Sequence, residues 1–166
     1  DFWASAPYYN PLVEKTVEYF KYHHVQELGD YMVQHIIQET PREYFQESVI
    51  MPIPLHWTRY WWRGFNQAQV LARNLAQKTG CSLSSGLIRH RKTKQQAKLT
   101  KSQRKKNLTD AFVWKPSITP PAKVVLVDDV AATGSTLQFA AQALRSVGVK
   151  QVYGVVFARG KSYTQL

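Results

Sequence analysis

The sequence predicts an α/β fold: a mainly parallel central sheet with helices on both faces, preceded by a helical N-terminal segment. Three observations carry this. Lys123 to Val127 is a short β-branched run, apolar at successive positions, as a strand covered on both faces requires. Residues 137–147 then place Leu137, Ala140, Ala141, Leu144 and Val147 at helical spacing and are closed by Gly148, where helices favour a left-handed residue. Gln151 to Ala158 is again apolar and β-branched, so residues 123–158 make one strand–helix–strand crossover.

The remaining elements follow in chain order. Residues 11–39 read as helical, with Pro11 in the first turn. Val13, Val17 and Phe20 mark one apolar stripe; Leu28, Tyr31 or Met32, and His35 or Ile36 mark another, with Gly29 expected to interrupt between them. His23, His24 and His35 have no partners at metal-ligand spacing and are assigned to surface or packing. Val49 to Ile53 is a strand that Pro52 and Pro54 bring to an end, opening a shaped loop. Residues 66–79 form a helix with Ala68, Leu71, Ala72 and Leu75 on one face, Asn66 as cap and Gly80 as terminator. Leu87 and Ile88 suggest a short strand, and Phe112 to Trp114 another. Thr100 and Gln103 have capping-box spacing, which predicts a short basic helix over residues 101–107. Pro116, Pro120 and Pro121 mark a surface connection. At 166 residues the chain is expected to be one domain, 1–166, with one core and no internal repeat.

The most chemically informative run is Val124-Val125-Leu126-Val127-Asp128-Asp129-Val130-Ala131-Ala132-Thr133-Gly134-Ser135-Thr136. It lies at the carboxyl end of a parallel strand, where open α/β sheets bind ligands. Amides at a helix start lack partners and carry partial positive charge, so Thr133, Gly134, Ser135 and Thr136 suit a phosphate, and Gly134 permits close approach. Asp128 and Asp129 are acceptors suited to the paired hydroxyls of a ribose, with a divalent cation nearby. A plainer account makes the acids a strand end and the hydroxyls a helix cap, but two adjacent acids and a TGST turn exceed what a cap needs. A nucleotide triphosphatase would need a GxxxxGK[ST] loop. Gly154 to Ser162 has one residue too many between its glycines and no helix after it.

These residues resemble the PRPP-binding motif of type I phosphoribosyltransferases. The resemblance implies that Asp128 and Asp129 hold the ribose diol and that Ala131, Ala132, Thr133, Gly134, Ser135 and Thr136 hold the 5′-phosphate, with Mg2+ arriving with PRPP and no direct protein metal site. Upstream, Met51-Pro52-Ile53-Pro54-Leu55-His56, Arg63-Gly64-Phe65-Asn66-Gln67-Ala68, and Arg91-Lys92-Thr93 with Gln96, Leu99, Arg104 and Asn107 narrow the likeness to the ComF family, competence-associated proteins that handle incoming single-stranded DNA. By position, Pro54, Leu55 and His56 resemble the pyrophosphate loop, with Arg59 and Arg63 as charge partners, and residues 89–106 resemble a flexible catalytic loop. Many members of the family begin with a four-cysteine zinc module; this chain has one cysteine, Cys81, and so no zinc is expected in it. It begins at Asp1 rather than Met, as a fragment would.

Charge is unevenly spread. Residues 48–109 hold thirteen Lys and Arg and no Asp or Glu, whereas nine of the 22 basic residues and all 11 acids lie elsewhere. A lopsided basic field attracts polyanions, and pyrophosphate and single-stranded DNA both satisfy it. Arg91, Lys92, Lys94, Lys98, Lys101, Arg104, Lys105 and Lys106 are the expected loop contacts to DNA or ligand. Within the same segment Trp57, Tyr60, Trp61, Trp62 and Phe65 interleave with Arg59 and Arg63. Two readings of Trp57, Trp61 and Trp62 stand side by side: stacking on unpaired bases, or packing, including packing at a homodimer contact. With one cysteine, no apolar run of bilayer-spanning length and no signal-peptide pattern, the cytoplasm is the expected compartment. The expected function is that of a PRPP-binding competence protein. The alternative is an active phosphoribosyltransferase that passes ribose 5-phosphate from PRPP to a base the sequence does not reveal.

Overall fold

In a computed structural model of the chain, the described residues are 10–22, 27–55, 64–89 and 111–160, together with the backbone path of 2–7. Seven strands and four α-helices are found there: β1 (Phe2–Pro7), α1 (Pro11–Tyr22), α2 (Glu27–Glu39), β2 (Val49–Pro52), α3 (Gln67–Thr79), β3 (Ser82–Leu83), β4 (Leu87–Arg89), β5 (Phe112–Trp114), β6 (Lys123–Ala131), α4 (Ser135–Ser146) and β7 (Gln151–Arg159). The main sheet is wholly parallel, in the order β1-β7-β6-β2-β3, and β4 and β5 form a separate antiparallel ribbon.

Alternation along the central strand builds the two layers. Val125 and Val127 of β6 enter the core that holds Val17 and Phe20 of α1, Met32, Val33 and Ile36 of α2, and Leu71 and Leu75 of α3. Val124 and Leu126 enter the opposite core, with Leu137, Ala140 and Leu144 of α4. Both faces of β6 are therefore dry, which explains its unbroken apolar run.

Local chemistry sets several boundaries. Asn66 caps α3 by accepting from the Ala68 N–H at 3.1 Å, and Gly80 ends that helix at φ +74°. Pro52 sits inside the sheet without loss of a ladder bond. The next N–H, that of Ile53, points to β6 and donates to Val127 C=O, so position 52 faces the other side, where β3 has already ended at Leu83. Two expectations are corrected. Gly29 does not interrupt the helices; it lies in the first turn of α2, buried where a Cβ would come within 3.4 Å of Phe20 and Val70. The strand that begins at Lys123 does not end at Val127 but runs on through both acids to Ala131, because β7 offers backbone partners as far as Arg159.

Candidate functional site

The carboxyl edge of the sheet opens into a cleft of about 270 Å³. Its floor is the end of β6 with Asp128 and Asp129, its far wall is the turn from Ala131 to Thr136, and its near wall is Ile53, Pro54 and Leu55 at the exit of β2. The sequence places these groups far apart; the parallel pairing of β2 with β6 brings them together. Lys21, Asn66 and Arg89 complete the lining.

The turn is built for an anion. Gly134 occupies the N-cap of α4 at φ +73° and provides no side-chain cap. The first bond across it is Gln138 N–H to Gly134 C=O, so the amides before Gln138 have no partner within the helix. Thr133 and Ser135 are joined hydroxyl to hydroxyl at 2.9 Å, at the exposed rim of the turn. Partial positive charge, a glycine without a Cβ and two hydroxyls meet at one helix start. From behind, Gly160 supports the turn: its N–H donates to Ala131 C=O at 2.9 Å, and a Cβ there would come within 3.1 Å of Ala132 Cα.

The acids differ in surroundings. Asp129 is 7% exposed, and its Oδ2 lies 2.9 Å from the Nζ of Lys21. Asp128 accepts the Asp129 N–H at 2.9 Å through Oδ1. Burial first, and then the adjacent Asp129 charge, push the Asp128 carboxyl well above the ordinary aspartate range; the Asp129 N–H and the Lys21 ammonium pull only partly the other way. Among the described residues no three His, Cys, Asp or Glu side chains are grouped to hold a metal. Asp129 thus already has an ammonium as its counter-charge.

The predicted residues are distributed as follows. Asp128, Asp129, Ala131, Ala132, Thr133, Gly134, Ser135 and Thr136 share the cleft with Pro54 and Leu55. His56, Trp57, Arg59, Trp61, Trp62 and Arg63 lie outside the described residues. So do Arg91, Lys92, Lys94, Lys98, Lys101, Arg104, Lys105 and Lys106, the predicted helix 101–107, and His23 and His24. Arg89, at the start of the expected loop, is the last residue of β4; its guanidinium lies 5.4 Å from the Phe112 ring centroid. Sequence reading missed Lys21 and Gly160, and it took Asn66 for a helix cap without placing it at the cleft. Of these, Lys21 had a visible signal: it follows Val17 by four residues, on the buried stripe of α1, where a lysine needs an anion.

Comparison with known proteins places this geometry. Residues 63–166 match the phosphoribosyl transferase domain. Competence protein F of Haemophilus influenzae is 38% identical over 116 residues, covering 67% of this chain and 51% of that protein. DNA utilization protein YhgH of Salmonella typhi is 33% identical over 155 residues, covering 90% of this chain and 68% of that protein. Competence protein ComFC of Bacillus subtilis is 30% identical over 143 residues, covering 84% and 56%. The chain thus spans between about half and two thirds of the length of these relatives. Two solved structures share the fold. One is the allosteric regulatory enzyme of purine biosynthesis (TM-score 0.51, 18% identity, 77% of this chain and 25% of that one). The other is an alanine mutant from an analysis of an invariant aspartic acid in HPRTs (TM-score 0.51, 10% identity, 85% and 72%). Sheet order, cleft and relatives agree, and the chain belongs to the ComF family of competence-associated proteins built on the type I phosphoribosyltransferase fold.

Proposed function

We propose that the cleft binds PRPP or a related ribose 5-phosphate, and that the protein handles incoming single-stranded DNA in natural transformation. One observation carries the ligand: two carboxylates and an uncapped, hydroxyl-bearing helix start face one cleft of about 270 Å³. The 5-phosphate lies against the amides of the Thr133–Thr136 turn, and the ribose hydroxyls donate to Asp128 and Asp129. The pyrophosphate extends toward Pro54 and Leu55, bringing magnesium with it. Relatives named for competence and DNA utilization, and the acid-free basic segment 48–109, support the DNA role.

Calorimetric titration with PRPP tests the site: saturable binding is expected, and it should be lost in Asp129→Ala. Strand binding is tested with single- and double-stranded DNA before and after charge reversal at Lys101, Arg104, Lys105 and Lys106. If about five phosphates are neutralised, log affinity for the single strand falls with log salt at a slope near −3.5. Unchanged binding in the reversed variant rules that segment out.

A second reading, turnover, is favoured by the shared cleft itself, since Pro54 and Leu55 leave both ends of the ligand in one cavity. Catalysis there would rest on fixed dipoles and charges aimed at the leaving group, with no nucleophilic side chain required. Pyrophosphate release in the presence of a panel of bases is the assay. No release with any base favours binding alone.

A further inference from the structure

The acidic pair meets a cation supplied from the far end of the chain. Lys21, next to last in α1, brings Nζ within 2.9 Å of Asp129 Oδ2, with the two side chains 17% and 10% exposed. Its position is fixed on both sides. The Lys21 carbonyl accepts from the amide of buried Gln67 at 3.5 Å, and the adjoining Phe20 meets Phe65 edge to face at 6.1 Å. Phe65 and Gln67 belong to the same sequence block as Asn66, which ties α3 to the cleft wall by donating to Ile53 C=O at 3.2 Å. That block therefore serves both the cleft and the turn of α1 that carries Lys21.

Two adjacent, partly buried carboxylates repel each other and need a counter-charge. A divalent ion is one solution, and an ammonium with three donors is another. We propose that Lys21 is the built-in cation of the pentose-phosphate site: it holds the Asp129 carboxylate in place and lets the acidic pair receive a ribose diol with no divalent metal. This rests on the ligand reading above. Lys21 is a positioning residue under it. A ligand without pyrophosphate, such as ribose 5-phosphate, then needs no metal, whereas PRPP brings a divalent ion for its own pyrophosphate.

Ribose 5-phosphate is titrated calorimetrically into the full chain, once in EDTA and once in excess magnesium. The wild type is expected to bind equally in both. Lys21→Met should bind at least tenfold more weakly in EDTA and recover part of that loss in magnesium, and magnesium alone should raise the melting temperature of the variant but not of the wild type. Lys21→Gln replaces it should Lys21→Met not fold. A lysine that merely braces the fold would lower the melting temperature without creating a magnesium requirement, and that result overturns the proposal. Wild-type binding that depends on magnesium overturns it while leaving the ligand reading intact. Failure of the wild type to bind in either buffer sinks both.

Discussion

Asp128→Asn should stabilise the fold and disable the site. Burial and the neighbouring Asp129 charge raise the Asp128 carboxyl well above 3.8 in the folded chain, so the folded state holds the proton more tightly than the unfolded one. The sign follows directly. Above its folded value Asp128 is ionised in both states and burying the charge costs stability; as pH falls from that value toward 3.8 the cost disappears. Replacing the carboxyl by a neutral amide should therefore gain about 1 kcal/mol at neutral pH, or roughly 2–4 °C in a domain of this size. The hydrogen bond from the Asp129 N–H survives, because an asparagine oxygen accepts it as Oδ1 does now. Ligand binding moves the other way: a charge-assisted acceptor for a ribose hydroxyl is worth about 1.5–3 kcal/mol, so affinity should drop on the order of tenfold to a hundredfold. Scanning calorimetry of both proteins at neutral pH and near pH 5, where the difference should narrow, and a ribose 5-phosphate titration give both halves. A variant that melts lower than the wild type at neutral pH refutes the electrostatic account.

Three further substitutions probe the cleft walls. Gly134→Ala forces a Cβ into φ +73°, at a cost of about 1–2 kcal/mol, and should lower both the melting temperature and the affinity for ribose 5-phosphate. Gly160→Ala has ordinary backbone freedom but presses on Ala132 backbone at 3.1 Å; titration should show weakened phosphate binding with little change in the melt. Asn66→Ala removes both the cap on Ala68 N–H and the bond to Ile53 C=O, and urea unfolding should record a loss of about 1–2 kcal/mol, most of it restored in Asn66→Asp, which keeps the cap.

Legibility in the sequence followed the range of the interactions. Helix α3 was readable to the residue because its signals are local: an Asx acceptor at one end, a left-handed glycine at the other and a single apolar face between. The β6–α4–β7 crossover was readable for the same reason. Harder cases depend on partners elsewhere. Strand β3 is two residues long and exists through its ladder to Val49 and Ile50. Strand β1 pairs along the edge of β7, and no local pattern announced it. Aspartates disfavour strands by propensity, so β6 seemed to stop before them; the backbone of β7 decides otherwise. Gly29 reads as a breaker by propensity, yet its value is the close approach of α2 to Phe20 and Val70. Lys21 and Gly160 act on the site only across the folded sheet.

The extension of β6 through its acids has a structural consequence for the cleft. Strict alternation of faces ends at the acids, since Val130 packs with the core of α1, α2 and α3 and Ala131 with the core of α4. Both acids therefore line the cleft, and Asp129 meets α1 through Lys21. The acid pair thus answers to α1 while the adjoining turn belongs to α4, and a ligand bound to both would tie α1 to the phosphate turn at the open edge of the sheet. Binding should then protect α1 as well as the turn. Hydrogen exchange with and without ribose 5-phosphate should show slowed amides in the last turn of α1 beside those of residues 133–138, and protection confined to the turn would mean that Asp129 takes no part in holding the sugar.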